Sequence, residues 1–193
     1  EYTGKQLTSH TDKPPLNTEA PAYGQKVVLY ATCYGNYNTP EIGLALRAVL
    51  AVNGVEAEIL HPSCCGMPQL EQGDLQQVAQ NAETVADAFL PWIEKGYEII
   101  ALVPSCALML KSEWPLLLKD NAKIKTLAEN TSDVSEYIVA LSKKYGLAEG
   151  MKPLDGGVSV HVPCHARAQN IGNKAAEMLT LIPDTKIDLI ERC

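Results

Sequence analysis

Short apolar runs alternate along this chain with longer segments in which apolar residues recur every three or four positions. Five runs predict buried strands, and they are KVVLYATC (26–33), VEAEILHP (55–62), YEIIALVPSC (97–106), VSVHVPC (158–164) and KIDLIERC (186–193). Helices are expected between them, over residues 38–54, 74–95, from residue 106 onward, 134–145 and 170–182. Strands that alternate with helices predict an α/β fold with a mostly parallel, Rossmann-like sheet and flanking helices.

The helix over residues 38–54 has start and stop residues of its own. Thr39 is expected to cap its amino end, Pro40 suits its first turn, and Gly54 suits its end. Its apolar face is predicted to contain Ile42, Ala45, Leu46, Val49 and Leu50.

The order of elements divides the chain into three parts. Residues 1–25 contain prolines and no apolar period, which is typical of a linker or extended arm. Residues 26–150 are predicted to form a first α/β half, and residues 151–193 the start of a second. Residues 34–63 separate Cys33 from Cys64, and residues 165–192 separate Cys164 from Cys193. These similar lengths predict an internal pseudo-repeat whose second half is cut short, so the chain is expected to be part of a longer protein.

Composition narrows the function classes. The chain has 193 residues, 46% of them hydrophobic, which is enough for one sizeable core or two small lobes. A net charge of −7 without any basic run argues against a nucleic-acid partner. The most apolar run, residues 99–110, contains Pro104 and is too short to span a membrane. No signal peptide is recognisable.

Six cysteines carry the candidate chemistry, and they are Cys33, Cys64, Cys65, Cys106, Cys164 and Cys193. Three disulfides are one interpretation, but such frameworks are typical of short secreted chains, whereas an α/β chain of this kind favours metal binding or redox chemistry. Each cysteine lies at or just after the carboxyl end of a predicted strand. Ligands bind at that edge of parallel sheets.

The type and placement of these ligands indicate a soft metal site. Cys33, Cys106 and Cys164 each lead toward a helix, whose amino end favours a thiolate. Gly66 allows a sharp turn after Cys65, so that both sulfurs of the adjacent pair can face one site. Four thiolates suit an iron–sulfur cluster or zinc. The close CxxC pairs of a zinc ribbon are missing.

The motifs "SCCGMP" (63–68), "PSCALMLKSEWP" (104–115) and "HVPCH" (161–165), with the final "ERC", resemble the CCG (cysteine-rich) domain of iron–sulfur oxidoreductases. Proteins with this domain include one subunit each of heterodisulfide reductase and of anaerobic glycerol-3-phosphate dehydrogenase, and the iron–sulfur subunit of glycolate oxidase. The resemblance to the glycerol-3-phosphate dehydrogenase subunit is the strongest.

The resemblance implies an electron-transfer subunit that binds an iron–sulfur cluster of the 4Fe-4S type. The first site would use Cys33, Cys64, Cys65 and Cys106, and the start of a second site would use Cys164 and Cys193. The last cysteine of the family motif falls on Met109, which is expected to fill the core instead. In this fragment the cluster is expected to be lost in air or replaced by zinc.

The resemblance also implies partners. Electrons would pass from a dehydrogenase or other redox subunit to quinone or a disulfide, in the cytoplasm or at the inner face of the membrane. Two alternatives stay open: a metal-free thiol–disulfide oxidoreductase that uses Cys33, Cys64 or Cys65, and a zinc-stabilised interaction domain. His61 and His165, which flank cysteines, are interpreted as hydrogen-bonded structural residues.

Overall fold

The computed structural model describes residues 4–190, and within them the strands form two parallel sheets. The first sheet has the order β2-β1-β3-β4, and the second pairs β5 with β6. The strands are β1 (Lys26–Tyr30), β2 (Glu56–Leu60), β3 (Glu98–Ala101), β4 (Thr131–Asp133), β5 (Val158–His161) and β6 (Ile187–Ile190). The predicted parallel α/β architecture is confirmed.

Helices occupy most of the connections. They are α1 (Cys33–Tyr37), α2 (Pro40–Val52), α3 (Met67–Glu71), α4 (Leu75–Ile93), α5 (Pro104–Leu108), α6 (Trp114–Leu117), α7 (Ala122–Glu129), α8 (Val134–Tyr145), α9 (Cys164–Ala168) and α10 (Lys174–Leu179). A 3₁₀ turn covers Leu7–Ser9, and a π-helical turn, Met109–Glu113, joins α5 to α6.

The first sheet is covered on both faces, and β1 runs through its middle. Successive side chains of a strand point to opposite faces. Val28 and Tyr30 therefore pack with α4, α6 and α7, whereas Val27 and Leu29 pack with α2 and α8. All four side chains are fully buried, which explains why the strand is an unbroken apolar run.

The strands end earlier than the sequence predicts, and the cysteines follow them. β1 ends at Tyr30, and Thr32 turns the chain with a φ of 57°, so that Cys33 begins α1. Cys106 lies inside α5, two residues after Pro104, which begins that helix. Cys164 begins α9 directly after Pro163. The five cysteines within the described residues therefore occupy strand-to-helix turns and helix starts.

Several elements have no counterpart in the sequence prediction, the short helices α1 and α3 among them. Two more are α7 and β4, which lie in a largely polar stretch between residues 119 and 133. The Asn121 side chain caps α7 by accepting hydrogen bonds from two backbone amides. Asp133 ends β4 and forms a capping box with Glu136 at the start of α8. These capping residues are the sequence signals that mark both elements.

The predicted apolar face of α2 is only partly confirmed, because Leu46 and Leu50 pack in the core but the rest of the predicted face is exposed. Ile42 and Val49 are about half exposed, whereas the helix buries Gly43, Arg47 and Leu50. Residues 7–12 account for this rotation, because they lie across α2 and provide it with a second packing surface. Thr39 precedes the helix, but its hydroxyl makes no capping bond and has no partner although it is buried.

Residues 4–25 run along the first sheet and its helices. Leu7 is fully buried in a small cluster with Ala31 and Leu102. Arg47 donates to the carbonyl oxygens of His10 and Asp12 at 3.0 and 2.5 Å. This segment therefore contributes to the core of the first α/β unit.

The second sheet is small. β5 and β6 pair in parallel from Val158 with Ile187 to His161 with Ile190, and α9 and α10 lie between them in sequence. The order strand, cysteine, helix, strand is thus present, whereas a structural relation between the two halves stays a prediction. No helix within residues 4–190 is both long and apolar enough to span a membrane.

Candidate functional site

Three neighbouring strands of the first sheet bring four cysteines to one edge. Cys33 follows β1, Cys64 and Cys65 follow β2, and Cys106 follows β3. The order β2-β1-β3 makes these strands adjacent, and because they are parallel, their carboxyl ends lie on the same side. The sheet topology therefore brings cysteines together that lie far apart in sequence.

Cys64 and Cys65 lie in an irregular segment, residues 61–66, which we call the cysteine loop. Gly66 ends it in the left-handed region, with a φ of 82°, and donates its backbone N–H to Cys64 Sγ at 3.4 Å. The hydroxyl of Tyr30 donates to the carbonyl oxygen of Ser63 at 2.7 Å. The indole Nε1–H of Trp114 donates to the carbonyl oxygen of Cys65 at 3.1 Å. These bonds tie the loop to β1 and to α6.

The four cysteine side chains lie next to one another in a series. Cys65 Sγ and Cys106 Sγ lie 3.2 Å apart, and both residues are buried. The side chain of Cys64 lies next to those of Cys33 and Cys65, close enough for each of them to affect its pKa. Cys33 and Cys64 are partly exposed. The series thus has one end in the core and an opening to solvent at the other.

These contacts distribute the negative charge unevenly. Hydrogen bonds from Cys33 and then Cys65 lower the pKa of Cys64 to about 2, against the opposing effect of burial. The bond to Cys64 raises the pKa of Cys33, and the bond to Cys106 raises the pKa of Cys65, with burial adding to both. Cys64 is therefore the thiolate of the group, and the thiols next to it keep their protons.

His61 begins the cysteine loop and lies between two tyrosine rings. Its ring stacks on that of Tyr30 with centroids 6.3 Å apart and meets the edge of Tyr37 at 5.4 Å. Burial lowers the pKa of His61, so the neutral imidazole is favoured, and the nearby Cys64 opposes this. Its Nε2 atom is buried and has no hydrogen-bond partner, so the hydrogen bonding expected of a structural histidine is incomplete.

The donor set determines which metals the site suits. Within residues 4–190, no three His, Cys, Asp or Glu side chains surround a point where a single metal ion would bind all of them. The four thiols instead lie next to one another in succession, and thiolate sulfur is the ligand that iron–sulfur clusters and zinc use. The residues present therefore fit such a group chemically, with Cys33, Cys64, Cys65 and Cys106 as its candidate ligands.

Of the two remaining predicted ligands, only Cys164 is within the described residues, and it lies outside this series. Cys164 is exposed at the start of α9, and Cys193 lies outside the described residues. α9 packs against α5, the helix that contains Cys106. Just after α9, the side-chain amide of Gln169 donates to the carbonyl oxygen of Pro104 at 3.1 Å, which attaches the turn to the start of α5. No disulfide joins any of the five described cysteines.

Two residues that hold the site have no place in the sequence prediction. In the sequence, Tyr30 appears only as part of an apolar strand, and Trp114 only within the motif PSCALMLKSEWP. Both are fully buried, and both donate hydrogen bonds to the backbone of the cysteine loop. The available signal is their chemistry, because a buried tyrosine or tryptophan usually finds a partner for its polar group.

Comparison with known proteins agrees with the cysteine motifs. Residues 27–111 match the family described as CCG, cysteine-rich domain, and this confirms the predicted resemblance. The matched segment begins in β1, ends in the π-helical turn and contains all four cysteines of the first site. No solved structure matches the chain significantly.

Similar proteins are subunits of oxidoreductases and a lactate utilization protein. A subunit of the anaerobic glycerol-3-phosphate dehydrogenase of Escherichia coli (strain K12) is 26% identical over 171 residues, which are 88% of this chain and 42% of the relative. A subunit of the fumarate reductase (CoM/CoB) of Methanothermobacter marburgensis is 26% identical over 98% of this chain and 36% of its own length. Lactate utilization protein A of Bacillus pumilus is 28% identical over 86% of this chain and 69% of its own length. The chain thus spans less than half of the first two relatives.

Proposed function

Because residues 27–111 match the CCG cysteine-rich domain, we propose that this chain is an electron-transfer part of an iron–sulfur oxidoreductase. The proximity of four cysteine thiols at the edge of the sheet carries the proposal. The names of the similar proteins, which include a dehydrogenase and a reductase, agree with it.

In this proposal Cys33, Cys64, Cys65 and Cys106 hold a cluster of the 4Fe-4S type. When bound, such a cluster supplies one-electron transfer at a potential that its surroundings tune. Cys65 and Cys106 are buried against the core, so they exclude water from their side of the site. Cys64 is ready to bind iron, because its low pKa means that it needs to lose no proton.

The exposed side of the site is the side from which electrons would enter and leave. Cys33 and Cys64 are partly open to solvent, so a partner that docks there comes near the ligands. We propose a dehydrogenase or other redox subunit as donor, and quinone or a disulfide as acceptor. A cytoplasmic location, including the inner face of the membrane, fits such partners. Cys164 and Cys193 stay candidates for a second site.

Anaerobic reconstitution with iron and sulfide tests the first site. We expect a brown protein with visible absorbance and an electron paramagnetic resonance (EPR) signal after reduction or oxidation. Single substitutions of Cys33, Cys64, Cys65 and Cys106 by Ser are expected to lower the iron content. Cys164→Ser is the matched control, because Cys164 lies outside the series of four thiols, and it should leave this cluster's signal intact.

Three outcomes would contradict the proposal. One is a colourless protein after reconstitution. Another is stoichiometric zinc that iron does not replace, which supports the zinc-stabilised interaction domain. The third is a cluster whose iron content is unaffected by the four Cys→Ser substitutions.

A metal-free thiol–disulfide oxidoreductase is the second candidate. The thiolate character of Cys64 and the thiol of Cys33 beside it favour this chemistry. The Cys64 thiolate would attack a substrate disulfide and release one substrate thiol, which takes up a proton. Cys33 would then displace the second substrate thiol, leaving a Cys33–Cys64 disulfide. Reduction of a model disulfide by the metal-free protein, lost in both Cys33→Ser and Cys64→Ser, would favour this candidate.

A further inference from the structure

The cysteine loop lacks regular secondary structure, so its conformation depends on contacts with other elements. Within it, the carbonyl oxygens of Ser63 and Cys65 flank the Cys64 residue that is central to the series of thiols. Each accepts one side-chain hydrogen bond, from Tyr30 and Trp114 respectively. The two bonds therefore fix the peptide group before Cys64 and the peptide group after Cys65, so that they hold both ends of the cysteine pair.

Tyr30 anchors the loop to the most constrained strand of the sheet. It is the last residue of β1, which pairs with strands on both sides. Its ring meets Phe89 edge-on with centroids 5.6 Å apart and stacks on His61. Since the ring cannot move without the sheet, its hydroxyl holds the Ser63 carbonyl in a fixed position.

Trp114 anchors the loop to the helical run that contains Cys106. This run extends from α5 through the π-helical turn into α6, and Trp114 is the first residue after that turn. A π turn widens the helix and shifts the direction of the residues that follow it. The same helical run therefore contacts Cys65 twice, through the Cys106 sulfur and through the Trp114 indole.

We propose that Tyr30 and Trp114 are positioning residues that hold the cysteine loop in the conformation that ligation requires. This inference rests on the proposed function, because it concerns the same four cysteines. Without the Trp114 bond, the Cys65 carbonyl is free to rotate, and Cys65 can move away from Cys106. Without the Tyr30 bond, Ser63 and Cys64 lose their attachment to β1.

Alkylation of the metal-free, reduced protein tests the positioning role without any cluster. The variants are Tyr30→Phe and Trp114→Phe, which keep an aromatic ring and remove the donor. The modification rate of Cys65 by iodoacetamide, measured by peptide mass spectrometry, is expected to rise about fivefold, the factor equivalent to one net hydrogen bond. The rate at exposed Cys164 should stay the same.

Matched controls separate the lost bond from lost aromatic volume. Tyr137→Phe removes a hydroxyl from a tyrosine that is buried on the other face of the first sheet, and Trp92→Phe shortens a tryptophan that packs on Tyr97. Neither should change the Cys65 rate. In reconstituted protein, the EPR signal is expected to shift in Tyr30→Phe and Trp114→Phe and to stay unchanged in both controls.

An unchanged Cys65 rate in both test variants would overturn the inference, as would equal increases in the controls. If Trp114→Phe unfolds, all of its cysteines will react at similar rates. The Cys65 rate in Tyr30→Phe, which removes only one oxygen atom, then tests the inference alone. This test is independent of the proposed function, because the alkylation rates are measured on metal-free protein whether or not the chain binds iron.

Discussion

Substitution of Gly43 by Ala in α2 should destabilise the protein, although such a change normally favours a helix. Gly43 is buried where the Leu7 side chain crosses the helix. A Cβ atom at position 43 would lie 2.2 Å from Leu7 Cδ2 and 3.0 Å from Cδ1. Alanine and Leu7 therefore cannot occupy this space together, and the segment around Leu7 has to move.

The two opposing effects can be compared in size. Replacing glycine by alanine inside a helix gains about 1 kcal/mol of intrinsic helix propensity. Displacing Leu7, which is fully buried, costs about as much as truncating it, and a buried Leu→Ala change costs about 2–5 kcal/mol. The net effect of Gly43→Ala is therefore a loss of about 1–4 kcal/mol.

A double-mutant cycle measures this clash directly. Urea unfolding under reducing, anaerobic conditions gives the free energy of unfolding of Gly43→Ala, Leu7→Ala and the double variant. Once Leu7 is truncated, alanine at position 43 has room, so the double variant should be about 1 kcal/mol more stable than Leu7→Ala alone. Ala48→Gly, at an exposed position of the same helix, calibrates the local propensity.

Two results would refute this reasoning. One is a Gly43→Ala protein at least as stable as the parent, which would mean that Leu7 does not occupy the space above Gly43. The other is strict additivity in the double variant, which would mean that the two residues are not in contact. Either result would also remove the explanation for the rotated face of α2.

Three further predictions concern the cysteine site. Because the pKa of Cys64 is lowered to about 2, Cys64 should be a thiolate throughout pH 5–8, and its alkylation rate in metal-free protein should not change over that range. The pKa of Cys33 is raised, so the alkylation rate of Cys33 should be low and should rise with pH up to pH 8. Parallel pH profiles for the two cysteines would contradict the assigned charges. Gly66→Ala should lower the free energy of unfolding in urea by about 1–2 kcal/mol, because alanine is strained at a φ of 82°; an unchanged value would argue against the left-handed turn. Met109 is fully buried, and Met109→Leu should lower the free energy of unfolding by less than about 1.5 kcal/mol. The visible spectrum of the reconstituted protein should stay unaltered, whereas loss of iron would identify Met109 as a ligand.

Hydrophobic periodicity predicts the elements that carry a strong local pattern. β1, α4 and α8 all lie within a few residues of their predicted positions. β4 is missing from the prediction because its three residues, Thr131–Asp133, are polar, and only pairing with β3 makes them a strand. Such a strand depends on tertiary contacts, which a single sequence does not display.

The face of α2 shows a different limit. Its periodicity places Ile42 and Val49 in the core, because apolar residues at helical spacing normally face inward. In the fold, the segment around Leu7 covers the side of the helix that contains Gly43 and Arg47. Glycine and arginine have no apolar signature, so a pattern of hydrophobic residues cannot predict this contact.

The cysteine site has one feature that the sequence displays and another that only the fold determines. That cysteines follow the strands is visible in the sequence, and parallel topology then places Cys33, Cys65 and Cys106 at one edge. Topology alone does not determine the distances between their sulfur atoms, whereas Cys65 Sγ and Cys106 Sγ lie 3.2 Å apart in the structure. The difference comes from bonds to backbone carbonyls, such as that of Trp114, whose acceptor lies far away in sequence. A residue type indicates that a donor needs a partner, but only the packed fold determines which carbonyl receives it, and so the ligands of this site are easier to recognise from sequence than the residues that hold them.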